Sequence, residues 1–180
     1  AGNGLAEAGK LAAGRGPDHA LATLTYLPTI PDPDKIICIG LNYEAHRLET
    51  GRDAPPHPMI FARFTSSQVG HDGVMLRPKV SDKFDWEGEL AVVIGTAGRY
   101  IEKAEALAHV AGYACYNDGS IRDFQRHTTQ FHPGKNFPAT GAFGPWMVTA
   151  DEIPDPSKLT LTTRLNGVEV QHSGTDDLIY

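Results

Sequence analysis

The stretch Asp85–Gly95, DWEGELAVVIG, is the segment from which the fold and the chemistry of this chain are inferred. It places two glutamates at the start of a run that is otherwise almost wholly apolar, and residues 90–94 are therefore predicted to form a buried strand. Side chains alternate between the two faces of a strand, so Glu87 and Glu89 project from the same face, about 7 Å apart. At the edge of a core, like charges repel strongly unless a cation lies between them. The pair predicts either a cation site or two ordinary carboxylates on an exposed sheet face.

Length and composition indicate one main globular domain. The chain has 180 residues, of which 41% are hydrophobic and 21% charged, which is enough for one sizeable core and a small appendage. A net charge of -6 without a Lys/Arg stripe argues against a nucleic-acid partner. No apolar run is long enough to span a bilayer and residues 1–16 lack the apolar core of a secretory signal, so we expect no membrane association and a cytoplasmic location. Cys38 and Cys115 lie in apolar, strand-like runs and are expected to be buried, reduced thiols.

A third carboxylate follows a second predicted strand. Residues 111–116 are strand-like, and the polar segment after them begins with Asn117 and Asp118. The ends of strands often carry functional residues, and two acidic strand ends in one compact domain can converge. The intervening segment 101–110 has a composition that favours a helix covering the sheet.

Three other polar segments contain candidate site residues, and each has an ordinary structural alternative. On a helix, His46 and Glu49 lie one turn apart on the same face, so the carboxylate could orient the imidazole as a general base requires; the alternative is an exposed helical turn. Arg63, before the hydroxyl-rich segment 65–67, could bind an anion or be a surface charge. Lys135 lies in a polar segment that we expect to be mobile and able to bring its ammonium over a site; the alternative is a solvated lysine.

The last third of the sequence predicts antiparallel structure. Residues 159–165 alternate as a half-exposed strand, Asn166-Gly167 is a strong hairpin signal, and residues 168–171 form the return strand. The many short apolar runs between Gly, Pro and Asn turns, with one helix, predict a mainly β fold with some α, built from mixed sheets around the site.

The order of these motifs resembles the fumarylacetoacetate hydrolase (FAH) family from about Lys35 to the end of the sequence. The resemblance rests on GLNY with His46 and Glu49, FARFTSS, DWEGELAVVIG, YNDGSIRDFQ, GKNF with GPW, and the NGVEVQ hairpin. It implies the family's mixed β-sandwich roll and a homodimer. It also implies that residues 1–34 are an N-terminal segment or the remnant of a small domain, and that residues 35–180 are an incomplete catalytic domain, truncated before the family's barrel is finished.

The resemblance also implies roles for individual residues. The family's metal-binding carboxylates match Glu87, Glu89 and Asp118, whereas Asp85 lies outside this set. The family's lid pair matches His46 and Glu49. We expect four residues to contact the substrate: Arg63, Ser66, Gln125 and Lys135. Lys135 is expected to be catalytic as well. The chain departs from the family pattern at Arg63 and Gly119, where lysine and an apolar residue respectively are usual.

Three carboxylates without cysteine or histidine form a hard oxygen site, which suits Mg²⁺, or Mn²⁺ or Ca²⁺, better than Zn²⁺. Open positions on such an ion suit a small substrate that chelates through two oxygens, such as a 2-oxo acid or a diketone. The first hypothesis is a metal-dependent hydrolase that cleaves a carbon–carbon bond in an acylpyruvate or a fumarylacetoacetate-like diketo acid, a reaction of aromatic catabolism. In it, His46 oriented by Glu49 activates water, and Lys135 with Gln125 stabilises the oxyanion. The alternatives are a 2-oxo acid decarboxylase, an isomerase or hydratase using the same enolate chemistry, and a non-catalytic metal- or ligand-binding module.

Overall fold

The computed structural model describes residues 4–51, 53 and 56–180, and strands dominate its regular structure. The strands are β1 Ile36–Gly40, β2 Met59–Arg63, β3 Gln68–Gly70, β4 Phe84–Asp85, β5 Gly88–Ile94, β6 Val110–Asn117, β7 Ser120–Ile121, β8 Gly141–Phe143, β9 Val148–Thr149, β10 Thr160–Leu165 and β11 Val168–Gly174. The α-helices are α1 Gly4–Ala12, α2 Glu44–Glu49, α3 Arg122–Gln125 and α4 His132–Lys135, and 3-10 turns cover Leu21–Thr23, Thr65–Ser67, Lys103–His109, Pro156–Lys158 and Thr175–Asp177. The prediction of a mainly β chain with some helix is confirmed.

The central sheet has the strand order β3-β8-β6-β5, and β9 pairs with the other end of β6. Only β3 and β8 are parallel among these described pairs; the others are antiparallel. In the β5–β6 pair Gly88 lies opposite Asn117, so the start of β5 and the end of β6 share one edge of the sheet. The Asp118 N–H donates to the Glu87 carbonyl at 2.8 Å, which brings the two acidic strand ends together.

Three antiparallel pairs complete the described sheets: β1–β2, β4–β7 and β10–β11. In the β10–β11 hairpin, Asn166 and Gly167 have φ of 52° and 82°. Positive φ at both central residues is what a two-residue type I′ turn requires, which explains why Asn-Gly predicts the hairpin correctly.

Phe61, Tyr113 and Ile121 are buried elsewhere, and one cluster of buried hydrophobic residues lies on one face of the central sheet. Ala114, Tyr116 and Phe143 form it, and Ile30, Ala91 and Val93 pack against it. Strand β5 is only half buried, because Val92 and Ile94 on its other face are exposed. The prediction of a fully buried strand is therefore wrong, and Cys115 is exposed for the same reason, whereas Cys38 is partly buried. An apolar run predicts the strand but does not say how many of its faces are covered.

The segment 101–110 differs from the predicted helix. It forms the 3-10 turn Lys103–His109, which has no side-chain N-cap and no buried residue. Without a cap or a packed face, a favourable composition does not sustain an α-helix. None of the helices in the described part of the chain has the length and hydropathy needed to cross a bilayer.

Candidate active site

A buried cluster of opposite charges lies where β5 begins and β6 ends. Lys135 on α4 donates from Nζ to Glu87 Oε2 at 2.6 Å and to Asp118 Oδ2 at 2.7 Å. The lysine is 1% exposed, and its Nζ lies 5.0 Å from the centre of the Phe61 ring. The segment expected to be mobile is thus a helical turn that fixes this ammonium inside the protein. The ammonium lies next to two of the predicted metal ligands, and its catalytic role stays a prediction.

Arg63 lies against the same cluster and is 2% exposed. All three guanidinium nitrogens are used inside the protein, so the anion that it binds here is the Asp118 carboxylate. The acceptors are Asp118 Oδ1 (2.5 Å), Gly119 O (3.1 Å), Thr140 Oγ1 (2.9 Å) and Ser67 Oγ (3.2 Å). The hydroxyl that segment 65–67 contributes to this network belongs to Ser67, whereas Ser66 is exposed. Substrate contact by Arg63 and Ser66 stays a prediction.

Two glycines allow the backbone to close around the cluster. A Cβ at Gly119 would lie 2.2 Å from the Thr140 carbonyl oxygen, so the apolar residue usual in the family does not fit here. A Cβ at Gly134 would lie 2.4 Å from the backbone nitrogen of Gln125. Glycine at 134 therefore lets α4 approach α3 closely, which places Gln125 and Lys135 on neighbouring helices.

Glu89 differs electrostatically from Glu87 and Asp118. Among the described residues, no donor hydrogen-bonds to its carboxylate and no cation pairs with it. Burial raises the pKa of Glu89 to about 8; the negative charges of Glu87 and Asp118 add to the rise and Lys135 opposes it. The raised pKa means that the protein supplies too little positive charge around Glu89 to stabilise its ionised carboxylate.

The donor set fits a hard divalent cation. Three carboxylates supply the oxygen ligands that Mg²⁺ prefers, and an added cation would relieve the repulsion at Glu89. The oxygens of Glu87 and Asp118 are engaged instead by nitrogen atoms of Lys135, Arg63 and Arg122. Within the described ranges, no group of three or more His, Cys, Asp or Glu side chains is already arranged around a metal position. A metal at these carboxylates would therefore compete with the Lys135 ammonium for the same oxygens.

Arg122 extends the cluster towards Gln125 and was not anticipated from the sequence. Its guanidinium donates to Asp85 Oδ2 at 2.9 Å, to Gln125 Oε1 at 3.1 Å and, through a short contact, to Glu87 Oε1. Asp85, expected to lie outside the site, is thus joined to Glu87 through one side chain. The signal that could have identified Arg122 is its place in the YNDGSIRDFQ motif, four residues after Asp118.

His46 and Glu49 lie on the exposed helix α2. His46 Nδ1 is 3.4 Å from Glu49 Oε2, and the two side chains are 58% and 77% exposed. The predicted pairing is therefore present, although the distance is long for a hydrogen bond. Across the described residues, no hydrogen bond or ion pair connects either side chain with the carboxylate cluster. The catalytic role of the pair stays a prediction.

Comparison with known proteins places the chain in a family. The family profile described as "Fumarylacetoacetate (FAA) hydrolase C-terminal" matches residues 35–180. The chain belongs to this family. FAH-family members generally bind divalent metals, and the enzymes among them act on small oxo acids.

Individual FAH-family relatives agree with this assignment. The mitochondrial oxaloacetate tautomerase FAHD2A of Homo sapiens is 42% identical over 160 residues, which are 87% of this chain and 51% of the relative. The chain therefore spans about half the length of this curated relative. The crystal structure of 5-carboxymethyl-2-hydroxymuconate delta-isomerase from Mycobacterium smegmatis has a TM-score of 0.77 at 36% identity, over 91% of this chain and 64% of that one. The structure of fumarylacetoacetate hydrolase from Exiguobacterium antarcticum has a TM-score of 0.73 at 32% identity, over 94% of this chain and 64% of that one.

Three further residues lie near the FAH-type site and were not predicted to belong to it: Tyr43, Asp177 and Cys38. Burial raises the pKa of Tyr43, at the start of α2, to about 12, and the negative charges of Glu89 and Asp177 add to the rise. Asp177 Oδ2 also accepts from the Ala45 N–H at 3.0 Å and so caps α2 from the far end of the chain. Burial and the charge of Asp118 raise the pKa of Cys38 to about 12, which keeps it a thiol beside the cluster.

Proposed function

We propose that this chain carries the metal-dependent active site of an enzyme that interconverts the keto and enol forms of a small 2-oxo acid. The observation that supports this most strongly is the cluster of three carboxylates, in which the buried Lys135 ammonium pairs with Glu87 and Asp118 while Glu89 has no cationic partner among the described residues. Hard oxygen ligands beside a fixed positive charge suit the binding of a 2-oxo acid and of its enolate. The names of two relatives point the same way, since one is an oxaloacetate tautomerase and another an isomerase.

Glu87, Glu89 and Asp118 are the residues that would hold the ion, with Mg²⁺ as the first choice and Mn²⁺ or Ca²⁺ as alternatives. When bound, the ion would supply Lewis-acid stabilisation of the negative charge that develops on the enolate. Arg63 holds the Asp118 carboxylate in place by a buried hydrogen bond at 2.5 Å. Lys135 adds a second positive charge next to the same carboxylates, where it would favour an anionic substrate.

His46 is the base that we propose for moving the proton. Its Nδ1 faces Glu49, which leaves Nε2 to take a proton from C3 of the keto acid and deliver it to the C2 oxygen of the enolate, and to carry it back in the reverse direction. The amide of Gln125 lies next to Arg122 at 3.1 Å, a position from which it could orient the substrate carboxylate, together with Ser66; Arg63 would act on the substrate only through the Asp118 carboxylate that it holds. Because α2 is exposed, this scheme requires the helix to close over the bound substrate.

Hydrolytic cleavage of a carbon–carbon bond in an acylpyruvate is the second candidate. The observation that favours it is the exposure of the His46–Glu49 pair, since Nε2 of an exposed imidazole can deprotonate a water molecule as readily as a carbon acid. Lys135 and Gln125 would then stabilise the oxyanion formed by attack of that water. The likeness to the Exiguobacterium antarcticum hydrolase supports this alternative.

Two assays on the same protein separate the candidates. The first follows the conversion of enol-oxaloacetate to the keto form, and the second follows pyruvate release from acetylpyruvate, both with added Mg²⁺ and after chelation. Metal-dependent ketonisation without pyruvate release supports the tautomerase. Pyruvate release without ketonisation supports the hydrolase and contradicts the first proposal. Carbon dioxide release from oxaloacetate would instead support a decarboxylase.

We also propose that residues 35–180 belong to the catalytic domain, that residues 1–34 are an accessory segment, and that the enzyme is a homodimer. The family match begins at residue 35, and helix α1 has no buried residue, which supports this division. Light scattering after size exclusion tests the homodimer, and a monomer at working concentration would contradict it. A cytoplasmic location stays a prediction.

A further inference from the structure

Gly88, the residue between the two glutamates, presents its peptide groups to the outer edge of β5. On the side of β6, the neighbouring Glu87 makes the contacts: its carbonyl accepts from the Asp118 N–H at 2.8 Å, and its N–H donates to Asn117 Oδ1 at 3.1 Å. Along an antiparallel strand, successive residues direct their N–H and C=O groups to opposite sides. The N–H and C=O of Gly88 therefore need partners from outside the central sheet.

Gln171 on β11 supplies both partners with one side chain. Its Oε1 accepts from the Gly88 N–H at 3.0 Å, and its Nε2 donates to the Gly88 carbonyl at 2.9 Å. A side-chain amide thus takes the place of a neighbouring strand at this residue. Thr163, directly opposite Gln171 in the hairpin, donates from Oγ1 to the same Oε1 at 2.8 Å. The Gly88 N–H and C=O fix which end of the amide faces which peptide group, and the threonine hydroxyl adds a third hydrogen bond that holds the amide in place.

The close approach of the hairpin requires glycine at position 88. A Cβ there would lie 2.1 Å from Thr163 Oγ1 and 2.8 Å from Gln171 Oε1. Successive side chains alternate between the faces of a strand, so this missing Cβ belongs to the face opposite the one that carries Glu87 and Glu89. The pattern Glu-Gly-Glu therefore combines carboxylates on one face with a docking point for the hairpin on the other.

We infer that Gln171, held by Thr163, is a positioning residue that aims Glu87 and Glu89 through the peptide of Gly88. This inference rests on the proposed metal site. Groups that orient metal ligands from outside the ligand set typically change metal affinity about 10- to 100-fold when they are removed. Loss of the Gln171 amide leaves two peptide groups without their partner and frees the backbone that carries both carboxylates.

The test measures Mn²⁺ affinity by electron paramagnetic resonance titration in a set of matched variants. Gln171→Met keeps the length of the side chain without the amide and is expected to weaken Mn²⁺ binding about 10- to 100-fold. Thr163→Val should weaken Mn²⁺ binding less than Gln171→Met does. Thr163→Ser keeps the hydroxyl and should bind Mn²⁺ as tightly as the wild type. Glu169→Gln is the control, because Glu169 lies on the same strand and pairs only at the surface, with Arg164 at 3.2 Å and with His172.

A thermal melt of each metal-free variant accompanies the titration. A lower melting temperature with unchanged Mn²⁺ affinity in Gln171→Met would overturn the inference, because that is the result of a purely structural role. If Gln171→Met does not fold, the comparison of Thr163→Val with Thr163→Ser decides in the same way. Absence of Mn²⁺ binding in the wild-type chain would contradict the proposed metal site itself, which distinguishes the two failures.

Discussion

The Lys135 ammonium lies 2.7 Å from Asp118 Oδ2, and both side chains are almost completely buried. A buried lysine is stable only when its charge is paired, and here the pairing is shared with Glu87 at 2.6 Å. The lysine therefore both neutralises two of the proposed metal ligands and depends on them. This mutual dependence makes the site sensitive to single substitutions and to added cations.

Replacing Lys135 by methionine should strongly destabilise the protein. The substitution leaves the buried Asp118 and the partly buried Glu87 with fewer positive partners, and removing one partner of a buried pair typically costs about 3–5 kcal/mol. Urea unfolding of the metal-free protein measures the change in the free energy of unfolding. Lys158→Met is the matched control, because Lys158 is 79% exposed and pairs only with Asp155. Equal stability of the two variants would contradict the structural role given to Lys135.

Glu89 should make the stability of the metal-free protein fall as the pH rises. Its pKa in the folded chain is raised to about 8 from an ordinary value of 4.5, so between these values the unfolded chain binds fewer protons than the folded one. The free energy of unfolding therefore decreases across this window and levels off above it. Glu89→Gln cannot ionise and should gain stability relative to wild type as the pH approaches about 8. Urea unfolding at a series of pH values measures the difference, and a constant difference would contradict the raised pKa.

His46→Ala should lose activity and keep its metal. Loss of a general base typically lowers kcat about 10²- to 10⁴-fold, whereas the carboxylates that are proposed to hold the ion are untouched. Steady-state kinetics and a Mn²⁺ titration on the same preparation measure the two effects. His172→Ala is the matched control, because His172 forms a similar exposed pair with Glu169 at 3.3 Å. Full activity of His46→Ala would rule out the proposed base.

Features that depend on neighbours along the chain could be predicted from the sequence. The two-residue period placed Glu87 and Glu89 on one face, and Asn166-Gly167 fixed the hairpin through its backbone preferences. The order of the motifs led, through the family resemblance, to the prediction of Lys135 and Gln125 as site residues. Spacing alone could not have done so.

Features that depend on distant contacts could not be predicted in the same way. Lys135 and Glu87 are 48 positions apart, and Arg63 and Asp118 are 55 apart, so nothing in their local sequence indicates burial. Likewise, the exposure of Cys115 depends on which sheet face is covered rather than on its apolar neighbours. Whether these side chains are buried or exposed depends on contacts with strands and helices that are distant in the sequence.

Titration of the wild-type chain and of Glu89→Gln with Mn²⁺, followed by electron paramagnetic resonance, tests most directly whether Glu87, Glu89 and Asp118 share a divalent ion. The wild-type chain is expected to bind a single equivalent of Mn²⁺, displaced by Mg²⁺. Glu89→Gln is expected to bind it far more weakly although it is the more stable protein without metal. Equal Mn²⁺ affinity in the two proteins, or no binding by the wild type, would contradict the metal site.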